Sequence, residues 1–469
     1  MGVQMETLSE SKTDRVMRAI RSKIAQRAFA IGDRLPSIRN LAKSLEVSPS
    51  TVVEAYERLE AEGLVRARRG SGFYISASGW PALVLGEEDF KRDRTVDPLW
   101  VSRQSLDTPP NTLKPGCGWL PAHWMPGEAI RRELRALARS EDFLLTDYGS
   151  TSGNADLRRL LLMRAAEDGI EVTASQLMLT ASGTQSIDLV CRLLLRPGSV
   201  VLVDDPCYFN FRALLRAHQA EVVGVRYTPT GPDIAEFEAL VSTHAPRLYI
   251  TNAALHNPTG STLSPQTAHS ILNIASMHDM LIVEDEIFAD FEPEPSPRLA
   301  ALDGLKRVIR IGSFSKTLSA SIRCGYIAAR PEWISDLIDL QVAINFGGPS
   351  PIAANLIAAL LTSGGYRKHM DALRLRLVRT RREVADKLQE LGFELSTMPR
   401  GGFFIWCRLP NGLNAADVAR AALADDIVLA PGDVFSVAGS ASSFMRFNVA
   451  QSNDPRIWSA LRRAMERAT

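Results

Sequence analysis

Lys316 lies in the stretch IGSFSKTLSASIRCGY, residues 311–326, flanked by small hydroxyl residues and just past a strand-like apolar run, with Arg323 seven positions later. A lysine in that setting can act as an amine nucleophile. It then needs a near-neutral amine and a carbonyl partner held in place for an imine to form. Other stretches carry the parts that would hold such a partner. TASGTQSID ends a strand-like run and opens a helical one, so backbone N–H groups and hydroxyls at Ser182, Gly183 and Thr184 make a phosphate cradle at a helix N-terminus. DDPCYF offers Tyr208, an aromatic able to stack on a flat ring. HNPTG sets Asn257 beside a turn, where its amide can donate to a phenolic oxygen. IVEDEIF ends an apolar run in carboxylates, one of which can pair with a protonated ring nitrogen. Arg323, with Ser313 and Ser315, can neutralise a phosphate. Taken singly, each part is common in structural roles. In this order along one chain they are the set needed to hold pyridoxal 5′-phosphate.

The elements that must position these residues read as an α/β sheet. Strand-like runs recur at 176–181, 199–204, 221–226, 247–252, 280–285, 307–312 and 324–329, with amphipathic helical stretches between most of them. That alternation predicts a mostly parallel sheet with crossover helices. After residue 365 the order changes to a long Arg-rich helix followed by two strands, GGFFIWCRL and SFMRFNVA, with a helix between, which predicts a smaller α+β domain.

The N-terminal part is built differently. Val16, Ile20 and Ile24 share one helical face within 12–28. Ile38, Leu41, Ala42 and Leu45 form a second apolar stripe, with Ser37 as its N-cap. Val52, Tyr56 and Leu59 form a third, with Pro49 in the first turn and Gly63 as its stop. LVRARRGSGFYIS then reads as a hairpin around Gly70-Ser71-Gly72 carrying Arg66, Arg68 and Arg69. Three short helices and a basic hairpin make an α+β winged helix-turn-helix. Ser48, Ser50 and Thr51 start its third helix, where hydroxyls can reach phosphates or base edges, and the wing arginines can reach the backbone or minor groove of DNA.

Composition is compatible with that division. The chain has 469 residues, 45% hydrophobic and 23% charged, too long for one ordinary domain. Residues 1–75 hold 13 Lys and Arg against 9 Asp and Glu, although the whole chain is only +1. The five cysteines are dispersed, without CxxC spacing, and read as reduced thiols rather than disulfide or zinc ligands. No apolar run is long enough to span a bilayer, so no membrane association is expected.

Resemblance adds to this reading. GDRLPSIRNLAKSLEVSPSTVVEAYERLEAEGLVRARRGSGFYI resembles the DNA-binding domain of GntR-family regulators nearly end to end. The resemblance implies DNA contacts from Arg34, Arg39, the start of the third helix and the wing glycine, Gly70; Ser37 is grouped with them. Many relatives have a basic residue where this chain has Pro49-Ser50, so Arg34 and Arg39 are expected to carry more of the affinity. Residues 116–469 resemble a fold-type I aminotransferase at YGSTSGNADLR, SGTQ, DDPCYF, HNPTG, EDEIF, SFSKTLSASIRCGY, GGFFIW and MRFNVA. By that resemblance Lys316 is the cofactor lysine and Asp285 the partner of the ring nitrogen. Asn257 bonds the ring hydroxyl, Tyr208 covers the ring, and Ser182, Gly183, Thr184, Ser313 and Arg323 hold phosphate. Tyr148 reaches the neighbouring subunit's phosphate, and Arg446 grips an α-carboxylate. Phe288 departs from the pattern, standing where many relatives have a tyrosine.

The two resemblances in this order are those of MocR-type (GabR-like) transcriptional regulators. They imply a multidomain bacterial cytoplasmic homodimer that binds operator DNA and senses pyridoxal phosphate, alone or condensed with an amino-compound effector. The expected division is a winged helix at 8–77, a linker at 78–115 with the alternative that part of it packs on the body, an α/β PLP-dependent transferase fold type I domain at 116–365 and a small domain at 366–469. The rival reading is an active aminotransferase that carries a DNA-binding head.

Overall fold

The computed structural model describes residues 11–25, 29, 32–68, 70–76, 96–109, 111–140 and 142–469. They fall into two compact units, one within Met1–Arg94 and the other Thr95–Thr469.

In the first unit, α1 (Lys12–Ala25), α2 (Ile38–Leu45) and α3 (Pro49–Ala61) precede the paired strands β1 (Val65–Arg68) and β2 (Gly72–Ile75). The last three residues of the helix expected at 12–28 lie outside the described residues. Each apolar stripe seen in the sequence turns inward, so Val16, Ile20, Leu41, Val52, Tyr56 and Leu59 make one small core. Ser37 caps α2 by accepting from Asn40 N at 3.3 Å, and Ser48 caps α3 by accepting from Thr51 N at 3.2 Å. The hairpin turns at Gly70 and Gly72, whose φ values of 74° and 103° suit glycine. The Arg34 segment bridges to Tyr74 as a third, one-residue strand, which ties the arginine to the wing.

The second unit is built on an eight-stranded sheet. Its strands are β3 (Leu177–Thr180), β4 (Val200–Asp205), β5 (Glu221–Thr228), β6 (Gly231–Pro232), β7 (Leu248–Thr251), β8 (Leu281–Asp285), β9 (Val308–Ser313) and β10 (Gly325–Ala328), in the order β3-β10-β9-β8-β7-β4-β5-β6. The seven runs read from the sequence are all strands. The eighth, β6, is two residues long and carries no period to read. Pairing from β5 through β9 is parallel, while β10 is antiparallel to both β3 and β9. Every residue of β3, β7 and β8 is buried, as expected for strands covered on both faces. Met178, Val203, Ile250, Val283 and Ile311 pack into one core, and their alternates Leu179, Leu202, Tyr249 and Ile282 into the other.

Because β10 is antiparallel to both neighbours, β3 runs in the same sense as β9. The C-terminal ends of β3, β4, β7, β8 and β9 therefore share one edge, where ligands of such sheets bind. A helix (Gly365–Glu390) leads to a second, antiparallel sheet of β11 (Glu394–Leu395), β12 (Phe404–Arg408), β13 (Ala430–Pro431) and β14 (Phe444–Asn448), ordered β11-β12-β14-β13.

One segment of the sequence-expected linker is a helix on the body. α4 (Pro98–Asp107) starts at Asp97, whose carboxylate accepts from Trp100 N at 2.7 Å, with Pro98 in its first turn. Trp100 and Val101 are buried against Phe209, Trp406 and Phe435. Trp80, the other tryptophan of that stretch, lies outside the described residues. Among the described residues no helix is long and apolar enough to cross a membrane.

Candidate functional site

Ten of the residues singled out from the sequence line a single cavity at that sheet edge: Ser182, Gly183, Thr184, Tyr208, Asn257, Asp285, Ser315, Lys316, Arg323 and Arg446. Lys316 follows β9 by three residues, and its Nζ donates to the Gly118 carbonyl at 2.6 Å. Burial pulls its amine down to about 8, so about a tenth of it is neutral at pH 7.

The three successive carboxylates of EDE separate by pleat. Glu284 turns away and accepts from Leu299 N and Ala300 N, each at 2.8 Å. Glu286 turns away too and pairs with Arg298 and Arg310. Asp285 alone of the three lines the cavity. Its Oδ1 accepts from Ile287 N at 3.1 Å, and burial pushes its carboxyl up to about 6.

Arg446, on β14, is 1% exposed and has no carboxylate partner among the described residues. Its Nη1 donates to Asn257 Oδ1 at 2.8 Å and its Nη2 to the Gly116 carbonyl at 2.7 Å, while Nε is buried without a partner. The guanidinium lies over Phe404 at 4.2 Å and Phe435 at 4.8 Å, and burial lowers it to about 10. A buried cation without a counter-charge is costly, so this position is suited to an arriving carboxylate. The same arginine sets the Asn257 amide. A guanidinium can only donate, so Oδ1 must face it and the NH2 is left for a ligand oxygen.

At the other elements, Ser182 caps the helix Gly183–Leu194 by accepting from Gln185 N at 3.0 Å. The N–H groups of Gly183 and Thr184 remain as unspent donors of that helix start. Arg323 is exposed and has no ion-pair partner among the described residues, which suits it to an anion. Tyr208 precedes the helix Phe209–Ala217 and packs on Phe209 and Phe211, and burial pushes its phenol up. Phe288 also lines the cavity, set edge-on between Phe403 and Phe404, so no hydroxyl is offered there.

Two expected residues stand apart. Ser313 is not part of the cavity lining; its hydroxyl donates to the Cys324 carbonyl at 3.1 Å, with Ser315 Oγ at 3.3 Å. Tyr148 is 80% exposed and packs on Phe346, away from the cavity of its own chain. The sequence reading missed Asn252, whose Nδ2 donates to the Asp285 carbonyl at 3.0 Å and whose Oδ1 is buried without a partner. A polar amide closing the apolar run RLYITN was the available signal. The reading also missed Cys117 and the α4 residues, which no local pattern marks.

In the head, Arg34, Ser37, Arg39, Ser48, Ser50, Arg68 and Gly70 are exposed, and Thr51 is half-buried. Arg68 lies over the Tyr74 ring at 4.5 Å, and Arg69 lies outside the described residues. The Ser37 and Ser48 hydroxyls are engaged within the chain as caps, a duty that competes with DNA contact. Ser48→Ala should cost the head about 1 kcal/mol, whereas Ser48→Asp should keep the cap and weaken DNA binding by charge repulsion. Thermal melts of the full chain followed by DNA titration check this; equal DNA affinity for the aspartate variant and wild type would remove Ser48 from the interface.

A sheet that presents a lysine, a carboxylate and a buried arginine at one edge, in a chain opened by a winged helix, defines an aminotransferase-type body joined to a helix-turn-helix unit. Residues 122–463 match the aminotransferase class I and II family, and residues 12–75 match the gntR family of bacterial regulatory proteins. The chain belongs to the aminotransferase class I and II family, in the MocR-like arrangement with a GntR head. It is similar to the HTH-type transcriptional regulator YdcR of Escherichia coli, 27% identical over 454 residues that cover 94% of this chain and 95% of that one. It is also similar to the HTH-type transcriptional regulator NorG of Staphylococcus aureus, 25% identical over 440 residues, 91% of this chain and 98% of that one. Among solved structures, the kynurenine aminotransferase of Pyrococcus horikoshii aligns with a TM-score of 0.72 at 22% identity, over 81% of this chain and 97% of that one. LysN, the α-aminoadipate aminotransferase of Thermus thermophilus, aligns with a TM-score of 0.69 at 24% identity, over 76% and 92%. At those identities the structural likeness establishes the fold.

Proposed function

We propose that this chain is a cytoplasmic transcriptional regulator that binds operator DNA through its winged helix and pyridoxal phosphate through Lys316. An amino compound entering the same cavity would then change DNA occupancy. The observation that carries this is the convergence of Lys316, Asp285, Asn257 and the uncompensated Arg446 in one cavity of a chain that begins with a helix-turn-helix. Bound pyridoxal phosphate supplies an aldehyde that primary amines capture reversibly.

The chain's own residues would do the rest. Gly183 and Thr184 N–H groups, Ser315 and Arg323 take the phosphate, with Ser313 steadying Ser315 and Ser182 holding the helix start. Asp285 holds the proton on the ring nitrogen, Asn257 donates to the ring oxygen and Tyr208 covers the ring. With Phe288 in place of a hydroxyl, Asn257 serves that oxygen without help. Arg446 takes the carboxylate of the amino compound. The exposed Tyr148 suits a homodimer in which it reaches the phosphate in the partner chain.

Only the neutral amine attacks an aldehyde, and the amine of Lys316 is pulled down to about 8. Uptake of pyridoxal phosphate by cofactor-stripped protein should therefore speed about tenfold per pH unit below 8 and level off above it. Stopped-flow absorbance checks this, and a rate unchanged between pH 6.5 and 8 would exclude Lys316 as the attacking group.

The overall reading is tested with a duplex selected from random sequence by the full chain. Its affinity is measured for stripped protein, cofactor-loaded protein and loaded protein with a panel of amino acids. An affinity that changes with ligand supports regulation, and one identical in all three states overturns it. Release of keto acid in the presence of 2-oxoglutarate at enzyme-like rates would instead support the aminotransferase reading.

A further inference from the structure

α4 is the first helix of the second unit, and it forms one wall of the cavity through Val101, Ser102, Ser105 and Leu106. Trp100 and Val101 fasten it to Phe209, Trp406, Val434 and Phe435, a cluster separate from the two cores of the large sheet. Phe209 and Phe435 also flank the Arg446 guanidinium, at 5.9 and 4.8 Å. A compound anchored on Arg446 by its carboxylate thus has its remaining substituent within reach of α4.

The two serines of this wall differ. The Ser102 hydroxyl is already spent on the Pro98 carbonyl at 3.0 Å. Ser105 is 3% exposed, and its hydroxyl makes no hydrogen bond to the described residues. Its backbone carbonyl accepts from Lys114 Nζ at 2.9 Å, which pins that turn of the helix. A hydroxyl in a cavity wall with no partner in the chain is free to hydrogen-bond a group that enters the cavity.

We infer that Ser105 is a specificity-determining residue for the amino compound: it selects a side chain that can hydrogen-bond over an apolar side chain of the same shape. The inference rests on the reading that the cavity receives an amino compound beside Arg446. A site built to hydrogen-bond a substituent discriminates strongly against the analogue that lacks the group.

The test uses cofactor-loaded full chain, wild type and Ser105→Ala, titrated by absorbance with near-isosteric pairs: L-threonine and L-valine, L-asparagine and L-leucine, L-glutamine and L-methionine. On every pair that binds, wild type should prefer the polar member by about tenfold or more, and Ser105→Ala should bring the ratio close to one. Leu99→Ala, on the same helix but outside the cavity lining and 52% exposed, should leave the ratio as in wild type. An equal ratio in wild type and Ser105→Ala overturns this inference and leaves the sensing reading standing. No spectral response of wild type to any amino acid overturns the sensing reading, and this inference with it.

Discussion

Lys316→Ala protein treated with borohydride in excess pyridoxal phosphate is expected to carry no pyridoxyl group at position 316, whereas wild type carries one per chain. The residue is the amine of the cavity, and the rest of the cradle can hold a phosphate but cannot form a covalent bond. The variant should therefore still bind cofactor weakly and lose it on dialysis. It should also lose the dependence of DNA affinity on amino acids, because coupling between two sites requires that the ligand act differently on the two states. By reciprocity, DNA should cease to alter amino-acid affinity. The substitution should not unfold the body, since among the described residues the Lys316 side chain makes a single hydrogen bond, to Gly118, and burial opposes its charged form. Mass spectrometry of the peptide containing residue 316 reads the first effect, and DNA titration reads the second. A wild type left unmodified at 316, or a variant whose DNA response equals wild type, would remove the covalent sensor.

Glu286→Ala is expected to be the most damaging single substitution in the body. Glu286 is 5% exposed and stands between two buried arginines, with Oε1 at 2.7 Å from Arg298 Nε and Oε2 paired with Arg310. Arg298 is also held by Glu292 at 2.7 Å, and Arg310 also pairs with Asp168. Removing the shared carboxylate leaves two buried guanidinium groups short of charge, and loss of one partner of such a pair costs about 3–5 kcal/mol. The neighbouring Asp285 sits on the same strand end, so cofactor affinity should fall as well. Glu286→Gln should be milder, because the amide still fills the space and accepts one hydrogen bond. Urea unfolding of the cofactor-stripped protein checks this; a loss below about 1 kcal/mol would mean that solvent reaches these groups.

The strand and helix pattern of the body was readable because burial on both faces leaves continuous apolar runs and crossover helices leave amphipathic ones. The head was readable for the same reason, its three stripes becoming one core around Val52 and Leu59. Chemistry at strand ends was readable in part. Lys316, Asn257 and the carboxylates at the end of β8 stand at exits from apolar runs, where polar residues draw notice. Asn252 stands at such an exit too and passed unremarked, because a lone amide there has ordinary structural uses. α4 was legible only as an alternative, that part of the proline-rich, mixed-charge stretch packs on the body through its tryptophans, and Trp100 does so. What holds it is Trp100 and Val101 against aromatic residues from far along the chain, and no local period announces such a contact.

The amino-acid sequence by itself determined the kinds of element, their order and the stock of reactive groups, since propensity, period and capping act within a few residues. The tertiary structure decided what each group can do. Lys316 meets the carbonyl of Gly118, 198 positions away, and Arg446 meets that of Gly116, 330 positions away. The same packing lowers the Lys316 amine by burial, leaves Arg446 without a counter-charge among the described residues and sets it against Asn257 Oδ1, which turns that amide's NH2 toward the cavity. The reason is dielectric and steric: a charge changes its behaviour when water is removed from around it, and only the packed fold removes the water.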